Sequence, residues 1–236
     1  MSSDFEWIHD YQLFLFDMDG LLVNTEKLHY QAYKKMLRQR GFDLTWDFPR
    51  YCEVAHFEST GIEEQIYSEF PELKESEPRW DNLYAEKKAI YQRLLKDGEV
   101  KLMPRVDDLL YALAKAQIKR CVVTHSPKEN VEEICRQLPV LKTIPNWVTR
   151  AQYRKPKPDP ECYQKAIDLY AKPTDSVIGF EDTPRGLKAL MGTRARAVLI
   201  CPAWHPGVEF AKQHSITHFA NFDSLSPRKL ALERAL

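Results

Sequence analysis

The sequence lacks paired cysteines, an excess of one charge and long apolar runs. Its five cysteines are scattered and none belongs to a CxxC pair, so neither a disulfide framework nor a zinc site is expected. Lys plus Arg and Asp plus Glu both total 34, which gives a formal net charge of zero. A nucleic-acid-binding protein would show a basic footprint, so this class is excluded. With no net charge, any strongly positive electrostatic potential must be confined to a local binding site.

Targeting and membrane-spanning patterns are missing as well. Asp4, Glu6 and Asp10 interrupt the amino-terminal stretch, and the apolar core of a signal peptide does not tolerate such charges. The longest early apolar run, residues 13–16, is too short to span a bilayer. We therefore expect a cytoplasmic protein with no membrane or nucleic-acid partner. The neutral charge balance is compatible with a monomer, which is the expected state.

Short, continuous apolar runs are present and are typical of buried strands. They cover residues 13–16, 121–123, 177–180 and 197–200, with a weaker candidate at 147–149. Continuous apolarity favours strands that are covered on both faces, as in a parallel sheet. Helical periodicity lies between these runs, and strands that alternate with helices predict a doubly wound α/β core.

One stretch breaks this alternation. Between about residues 26 and 97 the pattern is helical, as at Leu28, Ala32 and Met36, and no strand is evident. The stretch is rich in aromatic residues, which an inserted unit can use for its own small core. We predict an all-helical domain over residues 26–97, inserted into a core domain of residues 1–25 and 98–236.

Prolines mark where several helices begin. Ser126, Asp159 and Thr183 each precede a proline, which is the pattern of an N-cap followed by the first helical residue. A helix stop is predicted at Met191-Gly192. Ser126 and Thr183 each lie shortly after the end of a predicted strand, so polar residues at these two helix starts are close to strand ends.

The sequence Phe16-Asp17-Met18-Asp19-Gly20 carries the most informative signal, because two carboxylates directly follow a buried strand. Such charges are least costly at the carboxyl edge of the sheet, where open α/β folds bind ligands. Residues two apart project to the same side of an extended chain, so both acids can face one site. Their repulsion calls for a cation, and hard oxygen ligands favour Mg²⁺. The alternative is a capping or turn role for one or both aspartates.

Two further polar clusters follow predicted strands, and a third precedes a predicted helix. Thr124-His125-Ser126 can form an anion site at a helix start, with Thr124 the better phosphate ligand. His125 is expected to contribute only its N–H, and a catalytic imidazole is the alternative. Glu181 and Asp182 end a strand and are free for metal binding if Thr183 caps the next helix. Alternatively, Ser126 and the two acids serve only as caps.

The run 154–159, Arg-Lys-Pro-Lys-Pro-Asp, holds two lysines between prolines. One ammonium aimed into the site could neutralise a phosphoryl oxygen and a nucleophile. The alternative is a solvated surface loop, and the spacing alone does not decide between them. Signatures of competing chemistries are missing: the Walker-type phosphate loop, GxGxxG after a strand, the GxSxG nucleophile elbow and the HExxH zinc motif.

Taken together, these motifs resemble those of the haloacid dehalogenase superfamily, in the branch with β-phosphoglucomutase-like and phosphoglycolate-phosphatase-like proteins. The segment 17–26 matches the first motif, with Asn24 where many relatives have Asp. Thr124 begins a match to the second motif, and Glu181-Asp182 matches the fourth. Lys155-Pro156 matches the third, so the resemblance favours Lys155 over Lys157.

The resemblance implies a role for each matched residue. Asp17 would attack phosphorus to form an aspartyl-phosphate, and Asp19 would protonate the leaving oxygen and then activate water. Thr124 and Lys155 would hold the phosphoryl group. The backbone N–H groups of Met18 and Gly20 would lie near the phosphate. Asp182 would ligate Mg²⁺ together with Asp17 and the Asp19 carbonyl, and Glu181 would act on the ion directly or through water.

The resemblance also implies a small phosphorylated metabolite as substrate: a sugar phosphate, a phosphoglycolate-like acid or a nucleotide. The helical insert would be a cap that selects it, and His29 falls where β-phosphoglucomutase has a histidine that contacts its acid/base aspartate. Related phosphatases have a histidine there too, and the GxSR cap pattern of mutases is not evident in residues 51–62. A phosphatase is therefore favoured over a phosphomutase, and an inactive binding module ranks last because Asp17, Asp19, Lys155 and Asp182 are all present.

Overall fold

The computed structural model describes residues 3–57, 60–98, 100–225 and 230. The chain divides into two units, one formed by Met1–Asn24 with Lys101–Leu236 and the other by Thr25–Val100. The second unit begins one residue before the predicted insert of residues 26–97 and ends three residues after it.

A parallel six-stranded sheet forms the centre of the described part of the first unit. Its strands are β1 Leu13–Phe16, β2 Lys119–Val123, β3 Asn146–Val148, β4 Val177–Glu181, β5 Arg196–Ile200 and β6 Thr217–Phe219. The order across the sheet is β3-β2-β1-β4-β5-β6. This confirms the predicted doubly wound α/β class. The sequence pattern missed β6, because two of its three residues are polar and the strand forms no apolar run.

The helices of the described residues are α1 Glu26–Gln39, α2 Phe48–Ala55, α3 Gly61–Glu69, α4 Pro71–Ser76, α5 Trp80–Asp97, α6 Val106–Lys115, α7 Lys128–Gln137, α8 Glu161–Tyr170, α9 Pro184–Met191 and α10 Gly207–Gln213. The first five belong to the second unit, whose described part contains no strand. None of the described helices has the length and apolarity needed to cross a membrane.

The central strand β1 is buried on both faces, as its continuous apolar sequence predicts. Leu13 and Leu15 belong to one apolar cluster, which also includes Tyr163 of α8. Phe14 and Phe16 point the other way, where their rings stack with Phe180 of β4. Alternate side chains of one strand therefore anchor two layers and fix the carboxyl end of β1 inside the fold.

The predicted helix starts are partly confirmed. Thr183 caps α9, since its hydroxyl accepts a hydrogen bond from Gly186 N–H at 3.1 Å. The predictions for Ser126 and Asp159 are wrong by one residue, because α7 begins at Lys128 and α8 at Glu161, with a proline at the cap position of each. The Ser126 side chain is consequently free to bond elsewhere.

Candidate active site

The carboxyl ends of three neighbouring strands bring the predicted polar clusters together. Asp17 directly follows β1, Thr124 follows β2, and Glu181 is the last residue of β4. The Asp17 N–H donates to the carbonyl of Phe180 at 3.1 Å, which ties the residues after β1 to the end of β4. Because β1 lies between β2 and β4, this is the point where the strand order reverses, the usual ligand site of such sheets.

Three acids form a buried cluster at this edge. Carboxylate oxygens of Asp17, Glu181 and Asp182 all lie within 4.8 Å of one another. Their residues are only 8%, 1% and 6% exposed. Like charges this close in a buried place need a compensating cation, and an all-oxygen donor set suits Mg²⁺. The residues that are present therefore fit the metal that the family resemblance implies.

A lysine also reaches these acids, and it is Lys157. Its Nζ lies 2.5 Å from Asp17 Oδ1 and 2.6 Å from Glu181 Oε1, and the residue is 4% exposed. The Lys155 side chain is 73% exposed and its Nζ lies 3.7 Å from Asp159. The prediction that Lys155 enters the site is therefore wrong, and Lys157 takes that place.

The error arises because the sequence carries the Lys-Pro-x-Pro pattern twice, beginning at Lys155 and again at Lys157. Hydrogen bonds within the folded loop determine which of these two lysines faces the site. The Glu161 carboxylate accepts the N–H groups of Arg154 and Lys155 at 2.9 and 2.8 Å, and a turn closes from Asp159 N–H to the Pro156 carbonyl at 3.0 Å. This loop faces residue 157 toward the sheet and residue 155 toward solvent.

His125 holds the same loop from the other side. Its Nε2 accepts the Lys157 N–H at 2.9 Å, and its ring lies against Tyr153 with the centroids 5.9 Å apart. Burial lowers the pKa of His125 to about 2, and the charges of Lys157 and Arg185 add to this effect. A neutral imidazole with a filled acceptor is suited to positioning Lys157 rather than to proton transfer.

Asp19 is held by hydroxyl groups. Its Oδ2 accepts from Ser126 Oγ at 2.8 Å and faces Thr124 Oγ1 at 3.4 Å. The Ser126 N–H in turn donates to Thr124 Oγ1 at 3.0 Å. Ser126 was missed as a site residue because its position before Pro127 reads as a cap. Thr124 and Ser126 are therefore hydrogen-bonded to Asp19, the candidate acid/base.

The backbone after Asp17 turns sharply at Gly20. Gly20 has φ of +85°, a left-handed conformation that favours glycine, and its N–H donates to the Val23 carbonyl at 2.8 Å. This N–H is already used, so the prediction that Gly20 offers it to phosphate is wrong. Met18 is fully buried beside the two aspartates, and its backbone N–H stays a predicted phosphate ligand.

A family model described as haloacid dehalogenase-like hydrolase matches residues 14–199, most of the chain. The chain belongs to this family. This haloacid dehalogenase-like hydrolase is 28% identical to Protein CbbY of Cereibacter sphaeroides over 191 residues, which cover 78% of this chain and 82% of that protein. It is 29% identical to a phosphorylated carbohydrates phosphatase of Thermotoga maritima over 180 residues, 74% of this chain and 78% of that one.

The fold agrees with solved structures of the family. The crystal structure of CbbY from Rhodobacter sphaeroides in complex with phosphate matches with a TM-score of 0.72 and 24% sequence identity. The match covers 92% of this chain and 96% of that one. At this identity, the likeness shows a shared fold.

Electrostatics in this hydrolase couple the Asp17 carboxylate to the Lys157 ammonium. Burial raises the pKa of Asp17, and Glu181 and Asp19 add to the rise, while Lys157 opposes it. Burial by itself would lower the pKa of Lys157, but Asp17 and Glu181 outweigh it and hold that pKa well above its usual range. Lys157 is therefore a permanent cation, and further positive charge near Asp17 would favour its ionised form.

The Glu181 carboxylate is enclosed by residues that sequence reasoning did not single out. Tyr163 of α8 donates a hydrogen bond to Glu181 Oε1. A Cβ added at Gly186 of α9 would lie 2.1 Å from Glu181 Oε2, so only glycine leaves room for the carboxylate. Such packing has no local sequence signal, because it depends on how two helices meet β4.

His29 lies in α1 of the second unit, where it belongs to a partly buried polar cluster. Its Nδ1 lies 2.6 Å from Lys87 Nζ, and its ring stacks on Tyr91 with the centroids 3.9 Å apart. An ammonium can only donate, so Nδ1 is the acceptor. Within the same unit, Glu26 accepts from Tyr51 and contacts His56 Nε2, both at 3.0 Å. A substrate contact of His29 stays a prediction.

Proposed function

We propose that this protein is a Mg²⁺-dependent phosphatase of small phosphomonoesters, with Asp17 as nucleophile and Asp19 as acid/base. The observation that carries the proposal is the convergence at one sheet edge. Asp17 Oδ1 is 2.5 Å from the Lys157 ammonium, and the Asp19 carboxylate accepts a hydrogen bond from Ser126 at 2.8 Å. A nucleophile, a fixed cation and a second carboxyl group at one sheet edge suit phosphoryl transfer.

The reaction has two steps. A carboxylate oxygen of Asp17 attacks phosphorus, the ester P–O bond breaks, and the leaving oxygen takes a proton from Asp19. Water then attacks the aspartyl-phosphate, giving its proton to the Asp19 carboxylate, and inorganic phosphate leaves with Asp17 regenerated. Lys157 neutralises charge on Asp17 and on the phosphoryl oxygens throughout, and Thr124 offers a hydroxyl at the same edge.

The acidic cluster would hold the metal. Asp17 and Asp182 would ligate Mg²⁺, with Glu181 acting directly or through water, and the bound ion would supply charge compensation to the phosphoryl group. Lys157 shares Asp17 with this cluster, so one carboxylate would be oriented by two cations.

The relatives support a phosphorylated sugar as the first substrate class to test. One of them is a phosphorylated carbohydrates phosphatase, and another is a validoxylamine A 7'-phosphate phosphatase, 27% identical over 180 residues. Transfer of the phosphoryl group to water rather than back to sugar is proposed. A mutase would need a bisphosphate activator and would release little inorganic phosphate.

The test is a phosphate-release screen over sugar phosphates, phosphoglycolate and nucleotides, with Mg²⁺ and with EDTA. We expect Mg²⁺-dependent release that collapses in Asp17→Asn. The matched control is Asp43→Asn, because the Asp43 side chain is 67% exposed and pairs only at the surface with Arg38. Equal turnover in Asp17→Asn and wild type would remove the proposed nucleophile from the mechanism.

A further inference from the structure

Tyr163 places a phenol inside the cluster of charged side chains. The residue is fully buried in α8. Its hydroxyl donates to Glu181 Oε1 and accepts from Lys157 Nζ at 3.1 Å. Its ring also lies under the ammonium, with Nζ 4.8 Å from the ring centroid. The hydroxyl thus bridges a cation and an anion that both contact the site.

The Lys157 ammonium has more acceptors than hydrogens. Asp17 Oδ1 at 2.5 Å, Glu181 Oε1 at 2.6 Å, the Val123 carbonyl at 3.1 Å and the Tyr163 hydroxyl at 3.1 Å surround its Nζ. An ammonium donates only three hydrogens. Asp17 and Glu181 therefore compete for the same charge, and their relative strength sets where the ammonium lies.

The hydroxyl weakens one of the two competitors. Tyr163 donates to the same Oε1 atom of Glu181 that faces Lys157, so part of that oxygen's negative charge is already satisfied. We propose that Tyr163 is a positioning residue that keeps the Lys157 ammonium on Asp17 by holding Glu181 through its hydroxyl. The inference rests on the proposed phosphatase function and adds a residue that acts on the nucleophile only through Glu181 and Lys157.

Tyr163→Phe removes the hydroxyl and keeps the ring. Glu181 then draws the ammonium away from Asp17, so we expect kcat to fall roughly 10-fold, less than the roughly 100-fold that a misplacement of 1 Å can cost. KM should change less than kcat, because the shift acts on the attack. The control is Tyr11→Phe, a buried tyrosine outside the site whose hydroxyl accepts from Arg196 at 3.1 Å, and its kcat should match wild type.

A double-mutant cycle tests the route. In a Lys157→Met background, Tyr163→Phe should have no further effect on kcat, because the group on which it acts is gone. An equal fold-loss in both backgrounds overturns the proposal, as does a wild-type kcat in Tyr163→Phe. A kcat loss that only follows the unfolded fraction, measured by denaturant unfolding of each variant, also overturns it.

Crystal structures give a readout that does not depend on activity. In wild type, Lys157 Nζ should lie within hydrogen-bonding distance of both Asp17 and the Tyr163 hydroxyl, and in Tyr163→Phe it should lie nearer to Glu181. A wild-type structure with the hydroxyl out of reach of both partners overturns the proposal even if the variant fails to fold. If wild type shows no release that depends on Asp17, the phosphatase function fails, whereas a normal wild type with a normal Tyr163→Phe rejects the positioning role alone.

Discussion

The Lys157 ammonium lies 2.5 Å from the Asp17 carboxylate, although 140 residues separate the two in sequence. Both residues are buried, so their attraction is weakly screened by solvent. Because Lys157 also contacts Glu181, it links the end of β1 to the end of β4. The pair orients the proposed nucleophile before any substrate binds.

The two lysines of one loop provide a matched comparison. Lys157→Met should lower kcat by at least about 100-fold, because a preorganised cation at the phosphoryl group is lost. Lys155→Met should change kcat by less than about twofold, since its side chain is exposed and its surface ion pair with Asp159 does not involve the proposed nucleophile. Steady-state kinetics of both variants check this, and the opposite ranking would restore Lys155 as the site lysine.

Metal removal should abolish phosphate release, because three buried acids then lack their divalent counter-ion. We expect EDTA to stop turnover and excess Mg²⁺ to restore it. Asp182→Asn should raise the Mg²⁺ concentration for half-maximal activity at least about 10-fold, by loss of a ligand. Calorimetric titration of Mg²⁺ into each protein checks the binding directly, with Asp43→Asn as the control. Unaltered Mg²⁺ affinity in Asp182→Asn would contradict the assignment of this ligand.

Gly186 should be intolerant of even a methyl group. A Cβ there would lie 2.1 Å from Glu181 Oε2, so Gly186→Ala forces the carboxylate to move. We expect a loss of about 1–3 kcal/mol in the free energy of unfolding, as for other overpacked cores, together with a fall in kcat. Glu181→Asp shortens the side chain and should recover part of that stability when combined with Gly186→Ala. Denaturant unfolding of the three variants tests this, and strictly additive losses would argue against a direct collision.

Acidification should destabilise the protein through His29. Burial lowers the pKa of His29 to about 3, Lys87 and His56 add to the effect, and Glu26 opposes it. The folded pKa lies below the unfolded value of 6.5, so the unfolded chain takes up a proton that folded His29 refuses. The free energy of unfolding should therefore fall by up to about 2 kcal/mol as the pH drops from 6.5 to 5.

His29→Asn isolates this contribution, because asparagine does not titrate. Its unfolding free energy should depend less on pH than that of wild type between pH 7 and 5. Glu26 does not interfere in this window. Its folded pKa is lowered by His56 despite burial, so its stabilisation persists above the ordinary value of 4.5 and is lost only at lower pH. Parallel pH profiles of wild type and His29→Asn would contradict the prediction, because they would show that folding does not change the protonation of His29.

Much of the fold could be predicted from the sequence, because neighbouring residues indicate buried strands and helix starts. The apolar run of β1 is buried on both faces, and the proline after Thr183 marks a real helix start. β6 was missed because three residues of mixed polarity carry no periodic signal. The caps at Ser126 and Asp159 were misplaced because a polar residue before proline has the same pattern whether it caps the helix or precedes the cap.

The sequence by itself determined which residue types meet: acids after β1 and β4 and a hydroxyl after β2, since parallel strands must end at one edge. Only the tertiary structure decided which lysine joins them, because Lys155 and Lys157 have the same local pattern. Hydrogen bonds that the loop backbone N–H groups donate to Glu161 and His125 place Lys157 in the site. The same holds for Tyr163 and Gly186, whose contacts with Glu181 arise where helices pack on a strand, a relationship that no stretch of consecutive residues encodes.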